Sequence, residues 1–281
     1  MPFVRLVVTP SNAGARDAVS AALFAAGALG LQELGDSWVT VVTSSLDDVA
    51  LLDALVLAAW RADAAVTVQV SELPEVDWSE AWRMGIRAHE LGTLTVVPPW
   101  LAEGRDPGRT IVIEPEMAFG TGEHETTRCV VRLMRGTIRA GDTVADLGAG
   151  SAVLAIAAAK LGATRVAAIE MDPDAIGNAE SNVKRNGVTA QVTVLEGDAC
   201  VLLPLVAPVR VVLANILSSV LIGMLPTIAA ALPTGGAAIL SGILGVERPT
   251  MLAAISAAGG WRVEAEESEG EWWAVRLLRD G

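Results

Sequence analysis

The first seventy residues carry short alternating apolar runs separated by helical spacing. "FVRLVV" (3–8) alternates as a strand, and "AGARDAVSAALFAAG" (13–27) has apolar positions at helical intervals and stops at Gly27. "LGLQEL" (29–34) and "WVTVVT" (38–43) read as strands joined by a turn at Gly35-Asp36. "LDDVALLDALVLAAW" (46–60) reads as a helix and "AVTVQV" (65–70) as another strand. Strand, helix, strand, strand, helix, strand is the split βαβ order, so a small ferredoxin-like α+β domain is expected over 1–72. It holds no histidine or cysteine and its acidic residues are scattered, which suits recognition better than chemistry.

The pattern then changes twice. "SELPEVDWSEAWR" is acidic and aromatic, with Trp78 and Trp82 spaced to share one helix face. It marks a linker at 73–85, ahead of a second domain at 86–281. "TLTVVPPW" (93–100) is a strand ended by two prolines. From about 141, strands at 143–147, 165–170, 191–195, 210–215 and 236–241 alternate with helices at 151–161, 173–186, 217–231 and 247–258. That alternation predicts an α/β domain, a parallel sheet with helices on both faces. Two last strands, 261–267 and 272–278, are joined by "ESEG" alone. A parallel pair needs a crossover of about a dozen residues, so these two must be antiparallel neighbours. A parallel sheet ending in such a hairpin is similar to the Rossmann-like sheet of class I methyltransferases rather than to the usual dinucleotide fold.

Composition narrows the partners. The 281 residues are 52% hydrophobic, enough for a sizeable core. Their most apolar stretch, 49–59, is interrupted by Asp53 and is far shorter than the roughly 20 residues of a membrane span. The N-terminal "MPFVRLVVTP" lacks the apolar centre of a signal peptide, so a cytoplasmic protein with no membrane partner is expected. The net charge of −13 argues against direct nucleic-acid binding and suits a basic protein partner. Cys129 and Cys200 read as two buried thiols, and with only His89 and His124 no multi-histidine metal site is expected.

The chemistry gathers at "VADLGAGSAVLAIAAAK" (144–160). Gly148 and Gly150 follow a strand and open a helix, where the backbone approaches a ligand closely. The dinucleotide fingerprint needs a third glycine where Val153 stands, and the phosphate loop needs a lysine that is absent. Asp146 is out of place beside a pyrophosphate but suits the cationic end of a methionine moiety. Glu170, 20 residues after Gly150, ends the second strand, where an acidic side chain accepts ribose hydroxyls. Asp198 follows the third strand, in reach of an adenine amino group, and Asn215 ends the fourth. Four polar residues on successive strand ends share one sheet edge.

"EPEMAFGTGEHETTRCVVRLM" (114–134), "DLGAGSAVLAIAAAKLGA", "MDPDAIGNAESNVKRNGV" (171–188), "LANIL" (213–217) and "LSGIL" (240–244) together resemble the ribosomal protein L11 methyltransferase family. The "MAFGTG-x-H-x-TT" segment is far more specific than the glycine turn. The resemblance is strong over 75–281 and rests on domain pattern over 1–72. It implies S-adenosylmethionine as methyl donor and lysine side chains or the N-terminal amine of ribosomal protein L11 as acceptors. Thr127 then matches a donor-contacting threonine, Gly148 the glycine under the methionine part, Glu170 the ribose-binding acid, and Asn215 the asparagine beside donor and amine. Phe119, with Gly120 and Gly122, matches a loop closing over the donor. Ala152 stands where the family usually has glycine, and Glu170 where it usually has aspartate.

In this reading no metal is needed, and the enzyme holds a neutral amine in line with the methyl carbon. Asn215 is the candidate catalytic residue, accepting a hydrogen bond from the amine. His124 is the one candidate base, although a capping or loop-fixing role is the preferred assignment. Methylation of another protein's lysines or of a small amine is the alternative within the class. A nicotinamide-dependent oxidoreductase and a catalytically inactive binding protein are the rivals outside it.

Overall fold

A computed structural model of the protein describes residues 3–43, 46–73, 86–114 and 123–281. The expected helix face of Trp78 and Trp82 and the expected loop of Phe119, Gly120 and Gly122 lie outside the described residues. The chain divides into two compact units, Met1–Gly85 and Ile86–Gly281.

In the first unit, strands β1 (Phe3–Thr9), β2 (Gln32–Leu34), β3 (Ser37–Thr43) and β4 (Thr67–Leu73) form one sheet in the order β2-β3-β1-β4. Every pairing in it is antiparallel. Alternation along β1 points Leu6 and Val8 inward. They meet Val19 and Leu23 of helix α1 (Arg16–Ala25) and Leu55 and Ala59 of helix α2 (Leu46–Ala62). The expected strand at 29–34 is reduced to three exposed residues at the sheet edge, because Leu29 and Gly30 find nothing to pack against.

The second unit begins with a small sheet of β5 (His89–Leu91), β6 (Leu94–Val97) and β7 (Thr110–Val112). Helix α3 (Glu125–Met134) follows. The chain then alternates through β8 (Thr143–Leu147), α4 (Val153–Lys160), β9 (Arg165–Glu170), α5 (Pro173–Arg185) and β10 (Val192–Glu196). It continues as α6 (Ala199–Val206), β11 (Val211–Asn215), α7 (Ser218–Ala231), β12 (Ala237–Leu244) and α8 (Arg248–Ala258). The hairpin of β13 (Trp261–Glu269) and β14 (Trp272–Arg279) ends it. The seven strands are ordered β10-β9-β8-β11-β12-β14-β13. All neighbours are parallel except β14, which runs antiparallel to both β12 and β13. The hairpin required by the four-residue turn is therefore present, and the α/β class I methyltransferase sheet is the fold of this unit.

Helices cover both faces of that sheet, which is why its strands read as unbroken apolar runs. In β11, Val211 and Leu213 face the core shared with α3, α4 and α5, whereas Val212 and Ala214 face the core shared with α6, α7 and α8. Each fully buried Leu or Val side chain contributes about 1.5–3 kcal/mol against leaving it in water. Because β8 lies between β9 and β11, the strand order reverses at its carboxyl end. A crevice opens at such a reversal, and ligands of open α/β sheets bind there. No helix among the described residues is long and apolar enough to cross a membrane.

Candidate active site

A cavity of about 670 Å³ lies at the carboxyl ends of β8, β9 and β11. Thr127, Gly148, Gly150, Glu170, Asp198 and Asn215 all line it, together with His124, Thr126, Met171, Cys200, Ile216, Gly242 and Trp272. Six of the residues expected from the sequence are thus brought to one wall system from α3, β9, β11 and two turns.

The glycine turn is built from backbone. Gly148 and Ala149 both donate their N–H groups to the Ile169 carbonyl, at 2.9 and 3.0 Å. Gly148 has φ +71°, and a Cβ there would sit 2.5 Å from Ile216 Cγ2. Gly242, φ +82°, closes on the same residue from β12, where a Cβ would meet the Ile216 carbonyl oxygen at 2.5 Å. Ile216 is held between the two, so the segment after β11 can approach the turn only because neither position has a side chain. Ala152 is the N-cap of α4 and the single non-glycine with positive φ among the described residues, at +64°. The glycine expected of relatives at this position therefore has a steric reason.

Glu170 grips the turn. Its Oε2 accepts from the Gly150 N–H at 2.8 Å, and its Oε1 from the N–H groups of Met171 and Asp172 at 2.8 and 2.9 Å. A carboxylate offers about four acceptor sites, so these three bonds among the described residues leave about one on Oε2 of an acid that lines the cavity. Asp198 caps α6, Oδ1 accepting from the Cys200 N–H at 2.7 Å, and lines the same cavity.

Asp146 does not join them. It is 1% exposed, is not among the cavity-lining residues, and its Oδ2 accepts from the Ala155 N–H in α4 at 2.9 Å. Its Oδ1 is buried without a partner among the described residues. Burial pushes its carboxyl up to about 7, against the pull of the Ala155 N–H and with help from the Glu170 charge. The sequence put it next to the turn but could not say that it lies under it, as a brace for the helix start. Cys200 also departs from expectation: Cys129 is buried, but Cys200 is exposed and lines the cavity. Burial pushes its thiol up, and the neighbouring Asp198 adds to that.

The start of α3 supplies the fourth wall. His124 is its N-cap, Nδ1 accepting from the Thr126 N–H at 3.3 Å, in the capping role expected for it. Its ring stands edge-on to Trp272 of β14, centroids 5.0 Å apart. Thr127 is fully buried, and its Oγ1 has no partner among the described residues although the residue lines the cavity. Thr126 was not singled out by sequence, since nothing in "HETT" tells which threonine carries which contact. Its Oγ1 lies 2.8 Å from His124 Nδ1 and accepts from Asn215 Nδ2 at 3.0 Å. Ser241 Oγ, on β12, donates to the Thr126 carbonyl at 3.5 Å.

Helix α5 anchors the segment entering residue 114. Asn182, fully buried, donates to the Ser151 carbonyl of the turn at 3.1 Å and accepts from the Glu114 N–H at 3.0 Å. Asn186 both accepts from the Val112 N–H and donates to the Val112 carbonyl, at 2.8 and 2.7 Å, as a neighbouring strand would. The spacing of four that stacks Asn178, Asn182 and Asn186 is visible in "NAESNVKRN", but nothing in it tells that these amides bind a neighbouring segment.

Comparison with known proteins agrees with this geometry. Residues 18–280 match the family model described as ribosomal protein L11 methyltransferase (PrmA). A protein named ribosomal protein L11 methyltransferase from Thermus thermophilus is 41% identical over 202 residues, covering 72% of this chain and 77% of that protein. One of the same name from Pelotomaculum thermopropionicum is 39% identical, covering 79% and 72%. The crystal structure of a ribosomal protein L11 methylase from Lactobacillus delbrueckii subsp. bulgaricus superposes with a TM-score of 0.62 at 28% identity, over 70% of this chain and all of that one. The chain belongs to the ribosomal protein L11 methyltransferase family.

Proposed function

We propose that the protein is an S-adenosylmethionine-dependent protein N-methyltransferase that modifies lysine side chains or the N-terminal amine of ribosomal protein L11. The observation that carries this reading is the convergence of an unpartnered buried hydroxyl on Thr127, an acceptor site on Glu170 and the Asn215 amide around one cavity at the strand-order reversal. These groups fit the donor. Gly148 leaves room for close backbone approach, Thr127 and Glu170 offer hydrogen bonds to polar ligand atoms, and Asp198 stands at the far wall for an amino group. When bound, S-adenosylmethionine supplies an electrophilic methyl on a sulfonium whose departure leaves a neutral thioether.

The protein's share is positioning. Asn215 accepts a hydrogen bond from the incoming amine and aims its lone pair, and alignment of this kind is worth several powers of ten in rate. Residues 1–72, read as a ferredoxin-like recognition domain, carry eight Asp or Glu against three Arg, which suits a basic client. With a net charge of −13 the protein recognises protein rather than nucleic acid, and it acts in the cytoplasm.

Incubation of purified ribosomal protein L11 with the enzyme and S-adenosylmethionine, read by intact mass, tests the reading. Stepwise gains of one methyl each are expected. An unmodified client, with label from the donor arriving on other lysate proteins or on small amines, contradicts it.

A further inference from the structure

We infer that His124 and Thr126 are positioning residues that fix which end of the Asn215 amide faces the acceptor amine, through a one-way chain of hydrogen bonds running from Asn215 to the cap of α3. The inference rests on the methyl-transfer reading and adds to it a reason why the amide presents oxygen rather than nitrogen.

The direction of each bond follows from the one before. The Thr126 backbone N–H donates to His124 Nδ1, so that nitrogen is the unprotonated one and Nε2 carries the hydrogen. Nε2 faces the Glu125 carboxylate at 4.0 Å, an acceptor that suits an N–H. Across the 2.8 Å contact between Nδ1 and Thr126 Oγ1, the only hydrogen available is the hydroxyl's, so Thr126 donates. With its hydrogen committed, Thr126 Oγ1 has only lone pairs left, and the group that meets it at 3.0 Å must be the NH₂ of Asn215. The Asn215 carbonyl oxygen is then the end left to the cavity that Asn215 lines.

An oxygen there accepts from an amine N–H and leaves the amine's lone pair free to attack. An NH₂ there would donate to that same lone pair and hold it away from the methyl carbon. The polarity of the helix cap is thereby converted into a choice between a productive and an unproductive amide orientation. The chain is also mechanically held. Thr126 is 1% exposed, Ser241 donates to its carbonyl, and Trp272 stands edge-on to the imidazole. Helix α3 and strands β11, β12 and β14 all contribute a member, so the single contact that orients the amide is itself held from several elements. A capping histidine alone would need only the backbone N–H; the added hydroxyl contact is what links the cap to the site.

Three variants test this against the wild type in one assay: Thr126→Val, Thr126→Ser and His124→Ala. Each is measured for turnover on ribosomal protein L11, for donor affinity by calorimetry and for melting temperature. Thr126→Val keeps the shape and removes the hydroxyl, so kcat is expected to fall on the order of ten- to a hundredfold. Donor affinity should stay within about twofold. Thr126→Ser restores the hydroxyl and should recover most of the wild-type kcat. His124→Ala removes the acceptor that orients the hydroxyl and should lower kcat with it. Wild-type kcat in Thr126→Val overturns the inference, and so does a Thr126→Ser enzyme as slow as Thr126→Val. A rate loss matched by an equal loss of donor affinity or of melting temperature overturns it too, since that is what a purely structural role gives. Failure of the wild type itself to methylate the client falsifies the underlying reading instead, and the two failures are told apart in the same experiment.

Discussion

The Gly150 amide donates to the Glu170 carboxylate at 2.8 Å across 20 residues of chain. This bond ties the glycine turn after β8 to the end of β9, so the acid that lines the cavity also shapes the turn beneath it. Glu170→Ala removes both at once. Leaving the Gly150 N–H without its acceptor costs about 1–2 kcal/mol, and the donor's dissociation constant should rise roughly ten- to thirtyfold. Calorimetric titration with S-adenosylmethionine measures it; an unchanged affinity would mean that the ligand does not sit on this turn.

Asn215 is expected to separate the other way. Asn215→Ala should lower kcat by about a hundredfold while donor affinity changes little, because the amide orients the amine and not the donor. Single-turnover rates beside calorimetry resolve the two. Turnover like that of the wild type removes Asn215 from the mechanism.

Much of this could be read in the sequence, for identifiable reasons. Strands β8, β9 and β11 are largely apolar and bounded by glycines and polar residues, so their expected limits lie within a residue of those observed, whereas β12 runs three residues past the expected 241. The terminal hairpin followed from the length of one turn. Helix α6 was missed because "ACVLLPLV" is apolar all round, is eight residues long and contains Pro204, leaving no periodicity to detect. Strands β5 and β7 are three residues each, too short to alternate visibly. Expected residues at a motif's fixed offset, such as Gly148, Glu170 and Asn215, line the cavity, whereas Trp272, brought there by packing, was not expected, since its distance along the chain carries no signal. Asp146 shows the converse limit, a motif residue whose offset was right and whose side chain turned away from the cavity.

The two glycines around Ile216 should respond differently to a methyl group. In Gly242→Ala the new Cβ meets backbone, the Ile216 carbonyl at 2.5 Å, and both residues lie where the main chain cannot give. A loss on the order of 2–3 kcal/mol of stability is expected. In Gly148→Ala the obstacle is the Ile216 Cγ2 methyl, which a rotamer change can move, so the melting temperature should fall less while donor affinity drops. Thermal denaturation of both variants checks the order; a Gly148→Ala protein less stable than Gly242→Ala reverses it.

Asp146 makes stability depend on pH. Its folded carboxyl is raised from 3.8 to about 7 by burial, so between those values the native state holds a proton that the unfolded chain releases. Stability from this group is therefore present at low pH and is lost as pH rises through 7. Asp146→Asn can keep the bond from the Ala155 N–H and cannot ionise. The stability of wild type relative to Asp146→Asn, read from melting curves, should fall between about pH 4 and pH 7 by an amount on the order of 2–4 kcal/mol and level off above. Parallel melting curves for the two proteins contradict a buried carboxyl of this kind.

A crystal structure of the protein soaked with S-adenosylmethionine tests the central claim most directly. The account requires the donor in the cavity at the carboxyl ends of β8, β9 and β11, with its sugar at Glu170 and its methyl carbon facing Asn215. An empty cavity at saturating donor, or the donor bound elsewhere on the chain, would contradict it.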